Sequence, residues 1–226
     1  QTFPDHRESM PTTAVDVGTS MSLSLSMPTM AIDDKTAQVY ICNPANPTST
    51  MLKPAVLKSF CEEASKRTMV SIDEAYIDFL DAPDNESMIS LVKAGNPNII
   101  IIRTFSKIHA MAGIRVGFVI ADPKTIKDLQ ANYFGSSNFC LSALSMTAAM
   151  ASLKDSSHSN SSKVKNAEAR EYTYKSLQQM GYRCIPSYTN FLFFNLKDYK
   201  GDFAKDMLAK NVVLRSSEQP DGKWAR

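Results

Sequence analysis

The chain has 226 residues, of which 43% are hydrophobic, enough for one large domain or for a large domain and a small one. Its 25 basic and 23 acidic side chains give a net charge of +2, so no strong electrostatic attraction to nucleic acid or to a membrane surface is expected. No apolar run approaches the ~20 residues that a membrane-spanning helix needs.

Cysteine and histidine usage argues against a disulfide framework and against a metal site. Cys42, Cys61, Cys140 and Cys184 lie far apart, each in an apolar neighbourhood and without a CxxC pair. Such cysteines are typical of reduced, buried thiols, which predicts a cytoplasmic protein. The three histidines are also scattered, so no metal is expected.

The first clear strand precedes a segment with two Asn-Pro steps. Before it, Ala14–Val17 is predicted as a short strand and Met21–Met27 as a strand or loop. Gln38–Cys42 is apolar and predicts a strand, which the prolines of the following segment terminate. Two interpretations of this segment stay open: a rigid turn, or a loop that presents the amide of Asn46 to a ligand oxygen.

A second strand also ends in polar residues. A helix is predicted from Pro54, and the strand Met69–Ile72 then continues into Asp73-Glu-Ala-Tyr76. Asp73 is interpreted either as a helix N-cap or as a functional carboxylate at the end of a strand. Glu74 is expected to be solvated.

A third strand, Asn98–Ile102, is a continuous apolar run that predicts burial on both faces. It is followed by Thr104, Ser106 and Lys107, and Arg115 lies eight residues after the lysine. The lysine is either a surface cation or a residue of a cleft at the carboxyl end of the strand. Two hydroxyls and an arginine suit a phosphate monoester, and a lysine beside them can form an imine with a phosphorylated aldehyde, which points to pyridoxal 5'-phosphate.

Three strands that each end in polar residues predict one cleft along the carboxyl edge of a mainly parallel sheet. A further strand is predicted at Gly117–Ala121, followed by a helix with Asp122 as its N-cap and Pro123 as its first residue. Leu141–Leu153 is rich in alanine, methionine and leucine and predicts a buried helix.

The rest of the chain predicts a smaller unit. The serine-rich stretch Ser152–Ser162 marks the expected boundary, although it can also continue as helix into Lys163–Met180. The remaining predicted elements are one helix and three strands: Phe203–Lys210, Tyr182–Ile185, Asn190–Phe194 and Val212–Leu214. The predicted fold is α/β, with a three-layer large domain over residues 1–155 and a small α+β domain over 156–226.

The polar segments also carry a family resemblance. The pattern Thr104-x-Ser-Lys107-x-x-x-x-Ala-Gly-x-Arg115-x-Gly resembles the cofactor-lysine motif of fold-type I aminotransferases of classes I and II, in particular the histidinol-phosphate aminotransferase branch. The Asn-Pro-x-Asn-Pro-Thr and Asp-x-x-Tyr segments resemble two further motifs of this family in the same order. Ser49 stands where the family has glycine, which matters if that position adopts a positive φ.

The resemblance implies a role for each polar residue. Lys107 would hold the cofactor as an imine and then shuttle the α-proton, and Asp73 would pair with the protonated ring nitrogen. Asn46 and Tyr76 would bond the phenolic oxygen. The phosphate would be bound by three further residues, Thr104, Ser106 and Arg115. Substrate would be bound by three more, Asn190, Arg215 and Arg226, although Arg215 is equally well interpreted as a surface cation.

The resemblance thus predicts an aminotransferase that acts on a small-molecule amino donor and a 2-oxo acid and that forms a homodimer when full length. Two alternatives stay open: a decarboxylase or lyase on the same scaffold, and a non-catalytic ligand-binding domain. It also implies further residues before Gln1, including the family's glycine-rich phosphate loop, and after Arg226, so we expect the chain to be incomplete at both ends.

Overall fold

The structure, a computed structural model, describes residues 31–134 and 141–226 and the backbone of Thr13 and Ala14. These two residues form a short strand, β1 (Thr13–Ala14), which overlaps the predicted strand at Ala14. Three parts of the chain that were considered above lie outside the described residues: residues 15–17 of the predicted strand, the segment Met21–Met27, and Cys140.

A five-stranded sheet forms the centre of the larger unit. Its other strands are β2 (Gln38–Cys42), β3 (Met69–Asp73), β4 (Ile99–Thr104) and β5 (Gly117–Ala121), in the order β1-β2-β3-β4-β5. The first four strands are parallel and β5 is antiparallel to β4. The predicted α/β class with a mainly parallel sheet is therefore confirmed.

Two helices cover one face of this main sheet, α1 (Pro54–Ala64) and α3 (Ile89–Lys93), and Pro54 occupies the first turn of α1 as predicted. Between them in the chain lies the short helix α2 (Pro83–Glu86), which buries none of its residues. Because side chains alternate along a strand, every second residue of β2, β3 and β4 faces α1 and α3. The buried residues of this core are Ile32, Val39, Ile41, Leu57, Phe60, Cys61, Ala64, Val70, Ile72, Met88, Leu91, Ile99 and Ile101.

The register of the parallel strands aligns their carboxyl ends. Cys42 pairs with Asp73, and Asp73 pairs with Ile102. The ladder continues one step further, since the amide of Asn43 donates to the Asp73 carbonyl (2.9 Å) and that of Glu74 donates to the Ile102 carbonyl (2.9 Å). The three polar segments predicted from the sequence therefore leave the sheet side by side at one edge.

The return from β4 to β5 requires a glycine. A Cβ atom on Gly117 would lie 2.8 Å from the backbone oxygen of Arg103 in the adjacent strand, closer than a side chain can sit. After β5, the helix α4 (Pro123–Leu129) begins as predicted, with the Asp122 side chain accepting a hydrogen bond from the amide of Lys124 (2.8 Å).

Two consecutive helices follow, α5 (Ala143–Lys154) and α6 (Ser156–Gln179), separated by Asp155, whose side chain caps α6 by accepting from the amide of His158 (3.0 Å). The helical part of the prediction for 141–153 is confirmed, but the prediction that this helix is buried is wrong. Leu144 is 83% exposed and Leu153 is 64% exposed.

The reason lies in which face of α5 meets the large unit. Its buried residues are the small Ser145 and Ala149, and the Ser145 hydroxyl donates to the Ile114 carbonyl (2.9 Å). Apolar residues occur all around α5, so composition predicts the helix without predicting which residues are covered.

A second sheet forms the smaller unit, together with the helix α7 (Phe203–Leu208). Its strands are β6 (Cys184–Ile185), β7 (Phe193–Asn195), β8 (Ser216–Gln219) and β9 (Gly222–Ala225), antiparallel in the order β6-β7-β9-β8.

The predicted strand at Val212–Leu214 is wrong, because the strand of this region begins at Ser216. Val213 is 81% exposed, so its apolar character does not reflect burial. β8 is polar and is held by its ladder with β9, which buries Trp224 and Ala225. None of the helices in the described part of the chain is long and apolar enough to cross a membrane.

Candidate functional site

Side chains from all three strand ends meet above the carboxyl edge of the main sheet. The Asn46 amide Nδ2 donates to the Tyr76 hydroxyl (3.2 Å), and the Lys107 Nζ lies 5.2 Å from the centroid of the Tyr76 ring. The Tyr76 ring is buried against Phe79 and Ile108, which fixes its position. An amide, a phenol and an amine thus converge.

The loop that carries Asn46 has a defined conformation. Both Asn-Pro peptide bonds are cis, and the Asn43 side chain accepts a hydrogen bond from the amide of Leu52 (2.8 Å). Ser49 is buried with a φ of 62°, so the residue that stands in place of the family's glycine does adopt a positive φ. The Ser49 carbonyl accepts from the amide of Tyr188 (2.9 Å), which links the loop to the smaller unit.

Asp73, the last residue of β3, is held by two donors. Its Oδ1 accepts from the amide of Ala75 (2.9 Å), and its Oδ2 accepts from the hydroxyl of Tyr40 on β2. Burial is the main cause that raises the pKa of Tyr40, and the neighbouring Asp73 raises it further. The same two causes, in the same order, raise the pKa of Cys42 to about 11. Both groups are therefore protonated at neutral pH, and Tyr40 is a donor to the carboxylate.

Glu74 is not solvated, which corrects the prediction made from the sequence. It is 1% exposed and accepts hydrogen bonds from Ser87 Oγ (2.8 Å), the Met88 amide (2.9 Å) and the Arg103 guanidinium (Nη2, 2.9 Å). The alternation of side chains at the end of β3 sends Glu74 to the face opposite to Asp73, where Arg103 of β4 neutralises it.

The predicted phosphate ligands lie at the end of β4 and in the turn after it. The hydroxyl of Thr104 donates to Ser106 Oγ (2.9 Å) and accepts from the Ser106 amide (3.0 Å). Arg115 is exposed, has a φ of 55°, and its Nη1 donates to the Ala112 carbonyl (2.7 Å). The two hydroxyls are thus paired, whereas the guanidinium bonds its own loop.

The smaller unit contributes Arg226 to the cluster. The Arg226 guanidinium donates to Asn46 Oδ1 and lies 4.9 Å from the centroid of the Phe191 ring. The Phe191 ring in turn contacts the Tyr76 ring edge-on, with 5.4 Å between centroids. Arg226, Asn46, Tyr76 and Phe191 therefore form a closed set of contacts between the two units.

The other two residues predicted to bind substrate, Asn190 and Arg215, are exposed. Arg215 exchanges backbone hydrogen bonds with Arg226 (2.8 and 3.1 Å), and Asn190 directly precedes Phe191. The backbone therefore holds both residues beside the cluster.

Sequence reasoning missed Tyr40 and Phe191. Tyr40 precedes the strand end by two residues, so its position on the Asp73 side of the sheet follows once the register is known. The sequence predicts Phe191 only as part of an apolar strand. Among residues 31–134 and 141–226, no three His, Cys, Asp or Glu side chains lie close enough together to hold a metal ion.

Known proteins share this arrangement of elements. The model of the family "Aminotransferase class I and II" matches residues 17–223. The chain is 35% identical, over 188 residues, to the histidinol-phosphate aminotransferase of Moorella thermoacetica, which covers 83% of this chain and 48% of that protein. It is 32% identical to the aromatic amino acid aminotransferase of Mycobacterium sp. (strain KMS), over 82% of this chain and 51% of that protein.

A solved structure gives the same result. The histidinol-phosphate aminotransferase from Sinorhizobium meliloti, in complex with pyridoxal-5'-phosphate, superimposes with a TM-score of 0.70 and 26% identity, covering 77% of this chain and 46% of that one. The chain spans about half the length of the curated relatives it matches. The resemblance predicted from three short motifs thus extends over most of the chain, which belongs to the family of class I and II aminotransferases.

Proposed function

We propose that the protein binds pyridoxal 5'-phosphate and acts as an aminotransferase. It moves an amino group between an amino acid, or a histidinol-phosphate-like amino-alcohol phosphate, and a 2-oxo acid. The observation that carries this proposal is the convergence of Lys107, Tyr76 and Asn46 at the sheet edge where Asp73 ends β3. The names of the two relatives, a histidinol-phosphate aminotransferase and an aromatic amino acid aminotransferase, support it.

The donor set fits this cofactor group by group. The Asn46 amide and the Tyr76 hydroxyl, which are 3.2 Å apart, can both donate to one phenolic oxygen. The Asp73 carboxylate suits a protonated ring nitrogen, and the paired hydroxyls of Thr104 and Ser106 suit a phosphate. Arg115, two residues before the Gly117 that pairs with Thr104, would add a cation to the phosphate site.

Each residue has a distinct task in the proposed reaction. When bound, pyridoxal phosphate supplies an aldehyde that condenses with amines and a ring that withdraws electrons from the substrate. Lys107 would hold the cofactor through Nζ, and the same amine, once released by the substrate, would carry a proton away from the substrate α-carbon and return it to complete the amino transfer. Asp73 keeps the ring nitrogen protonated, which maintains the electron withdrawal.

Arg226 is proposed to bind the α-carboxylate of the substrate. It already lies within the cluster, and its guanidinium is a planar, permanently charged donor that suits a carboxylate. Asn190 and Arg215 are proposed to contact the remainder of the substrate, since their backbones lie next to Phe191 and Arg226.

The organisation of the whole protein is also a proposal. We propose a cofactor domain over residues 1–155 and a small domain over 156–226, supported by the separate sheets. The exposed apolar residues Leu144, Met150 and Leu153 on α5 support a homodimer, because such a surface favours burial by a partner. The free thiols of Cys61 and Cys184 support a reducing compartment such as the cytoplasm.

The test is a transamination assay with bound cofactor, using histidinol phosphate or glutamate as donor and a 2-oxo acid as acceptor. We expect the wild type and the control Lys66→Ala, which alters an exposed lysine paired with Glu63, to form the new amino acid. Lys107→Ala should be at least about 100-fold slower, because the proton carrier is lost. Release of carbon dioxide in place of amino transfer would assign a decarboxylase, and bound cofactor without turnover would assign a binding domain.

A further inference from the structure

The Tyr40 hydroxyl makes a contact that the proposed reaction does not yet use. It donates to Oδ2 of Asp73, the carboxylate proposed to pair with the cofactor ring nitrogen. The register explains the contact, since Tyr40 pairs with Ser71 and Cys42 pairs with Asp73. Residues that pair in this way share one face of the sheet, so the long Tyr40 side chain reaches along that face to the end of the neighbouring strand.

The hydrogen bond is not needed to join the two strands. β2 and β3 already form a five-residue parallel ladder. On the same face, Gln38 Nε2 donates to Ser71 Oγ and provides a second side-chain link. The carboxylate, by contrast, has few fixed partners: apart from Tyr40, it accepts from the Ala75 amide at Oδ1 (2.9 Å). The tyrosine therefore determines where Oδ2 lies.

In the described part of the chain, Tyr40 is the residue whose side chain donates a hydrogen bond to the Asp73 carboxylate. The Cys42 thiol is the other titratable group that faces Asp73 from β2, and it directs its hydrogen to the Pro44 carbonyl (3.3 Å). A carboxylate oxygen has two lone pairs, so Oδ2 can accept from Tyr40 and still receive a second donor.

We propose that Tyr40 is a positioning residue that orients the Asp73 carboxylate for the ring nitrogen of pyridoxal phosphate. This inference rests on the proposed function, because it assigns Tyr40 to the same site. One oxygen is fixed by the backbone and the other by Tyr40, so the carboxylate plane is set before the cofactor arrives. Preorganisation of this kind strengthens a charged hydrogen bond because no reorientation is needed on binding.

The test measures the Kd of pyridoxal phosphate for the protein freed of cofactor, followed by the absorbance of the bound form. Tyr40→Phe keeps the ring and removes the hydroxyl. We expect the Kd of Tyr40→Phe for pyridoxal phosphate to rise about tenfold. This factor corresponds to the weakest hydrogen bonds to charged groups, and we choose it because Tyr40 is 36% exposed to solvent. Turnover should fall by a similar factor with an unchanged KM for the amino acid, which Asp73 does not touch.

Two comparisons separate positioning from a structural role. Gln38→Met removes the other side-chain link on the same face and should leave the Kd unchanged. In an Asp73→Ala background, Tyr40→Phe should have no further effect on the Kd, because the group that it orients is gone. Matching urea-unfolding midpoints for wild type and Tyr40→Phe would show that the fold is kept.

The outcomes are distinct. A wild type that does not bind pyridoxal phosphate would overturn the proposed function and this inference together. If the wild type binds but Tyr40→Phe binds equally well, the inference alone is overturned. The same holds if Tyr40→Phe weakens binding as much in the Asp73→Ala background as in the wild type, since the effect would then not pass through the carboxylate.

Discussion

The buried ion pair behind the site gives a prediction whose size follows from the structure. Glu74, the residue after Asp73, is 1% exposed in its side chain, and its partner Arg103 is 15% exposed. Replacing Glu74 with alanine removes the acceptor for Ser87, the Met88 amide and Arg103, and leaves a guanidinium buried without its counter-charge. Breaking a pair of this kind costs about 3–5 kcal/mol.

Arg103 can regain some hydration because it is 15% exposed, so we expect the low end, a loss of about 3 kcal/mol in the free energy of unfolding. Urea unfolding followed by far-ultraviolet circular dichroism measures this loss. The fluorescence of Trp224, the only tryptophan in the sequence, follows the smaller sheet separately.

The matched control is Glu63→Ala, which removes a glutamate that is 55% exposed and pairs with Lys66 at 2.6 Å. An exposed pair contributes less than about 1 kcal/mol, so this variant should unfold close to the wild type. If Glu74→Ala lost no more stability than Glu63→Ala, the reasoning about the buried pair would be refuted.

Three further predictions concern the site and its surroundings. Asp73→Ala should still bond the cofactor through Lys107 but lose most transamination, since the electron withdrawal weakens; turnover within a few-fold of wild type would give the carboxylate another task. Arg226→Ala should raise the KM for the amino acid at least about tenfold, whereas Arg183→Ala, 71% exposed, should not; equal KM values would remove Arg226 from the substrate site. Burial lowers the pKa of His109 below its ordinary 6.5, so its contribution to stability is full above about pH 6.5 and is lost as pH falls toward the lowered pKa. The unfolding free energy of the wild type should therefore fall more steeply below pH 6.5 than that of His109→Gln, and parallel curves would contradict this.

The parallel core of the fold could be predicted because its strands carry their own signal. Gln38–Cys42 and Ile99–Thr104 are apolar runs ended by polar residues, and buried parallel strands have this pattern. The meeting of the three polar segments at one edge also follows, since parallel strands present their carboxyl ends together. The register of β2, β3 and β4 confirms that their carboxyl ends are aligned.

The predictions that failed concern residues whose structure is set by a partner segment and not by their own sequence pattern. β8 is a strand because β9 pairs with it, and its sequence Ser-Ser-Glu-Gln has no apolar alternation to indicate it. Glu74 is buried because donors from later in the chain, Ser87, the Met88 amide and Arg103, bond its carboxylate. Tyr40 likewise acquires its partner through the register of β2 and β3, which the sequence alone does not specify.

Borohydride reduction tests most directly whether Lys107 is the residue that bonds pyridoxal phosphate. Borohydride makes the carbon–nitrogen bond between lysine and aldehyde permanent, and peptide mapping by mass spectrometry then locates the label. We predict that the label lies on Lys107 in the wild type and in Lys66→Ala, and that it is absent from Lys107→Ala. A label on any other lysine, or none on protein saturated with pyridoxal phosphate, would show that Lys107 does not bond the cofactor.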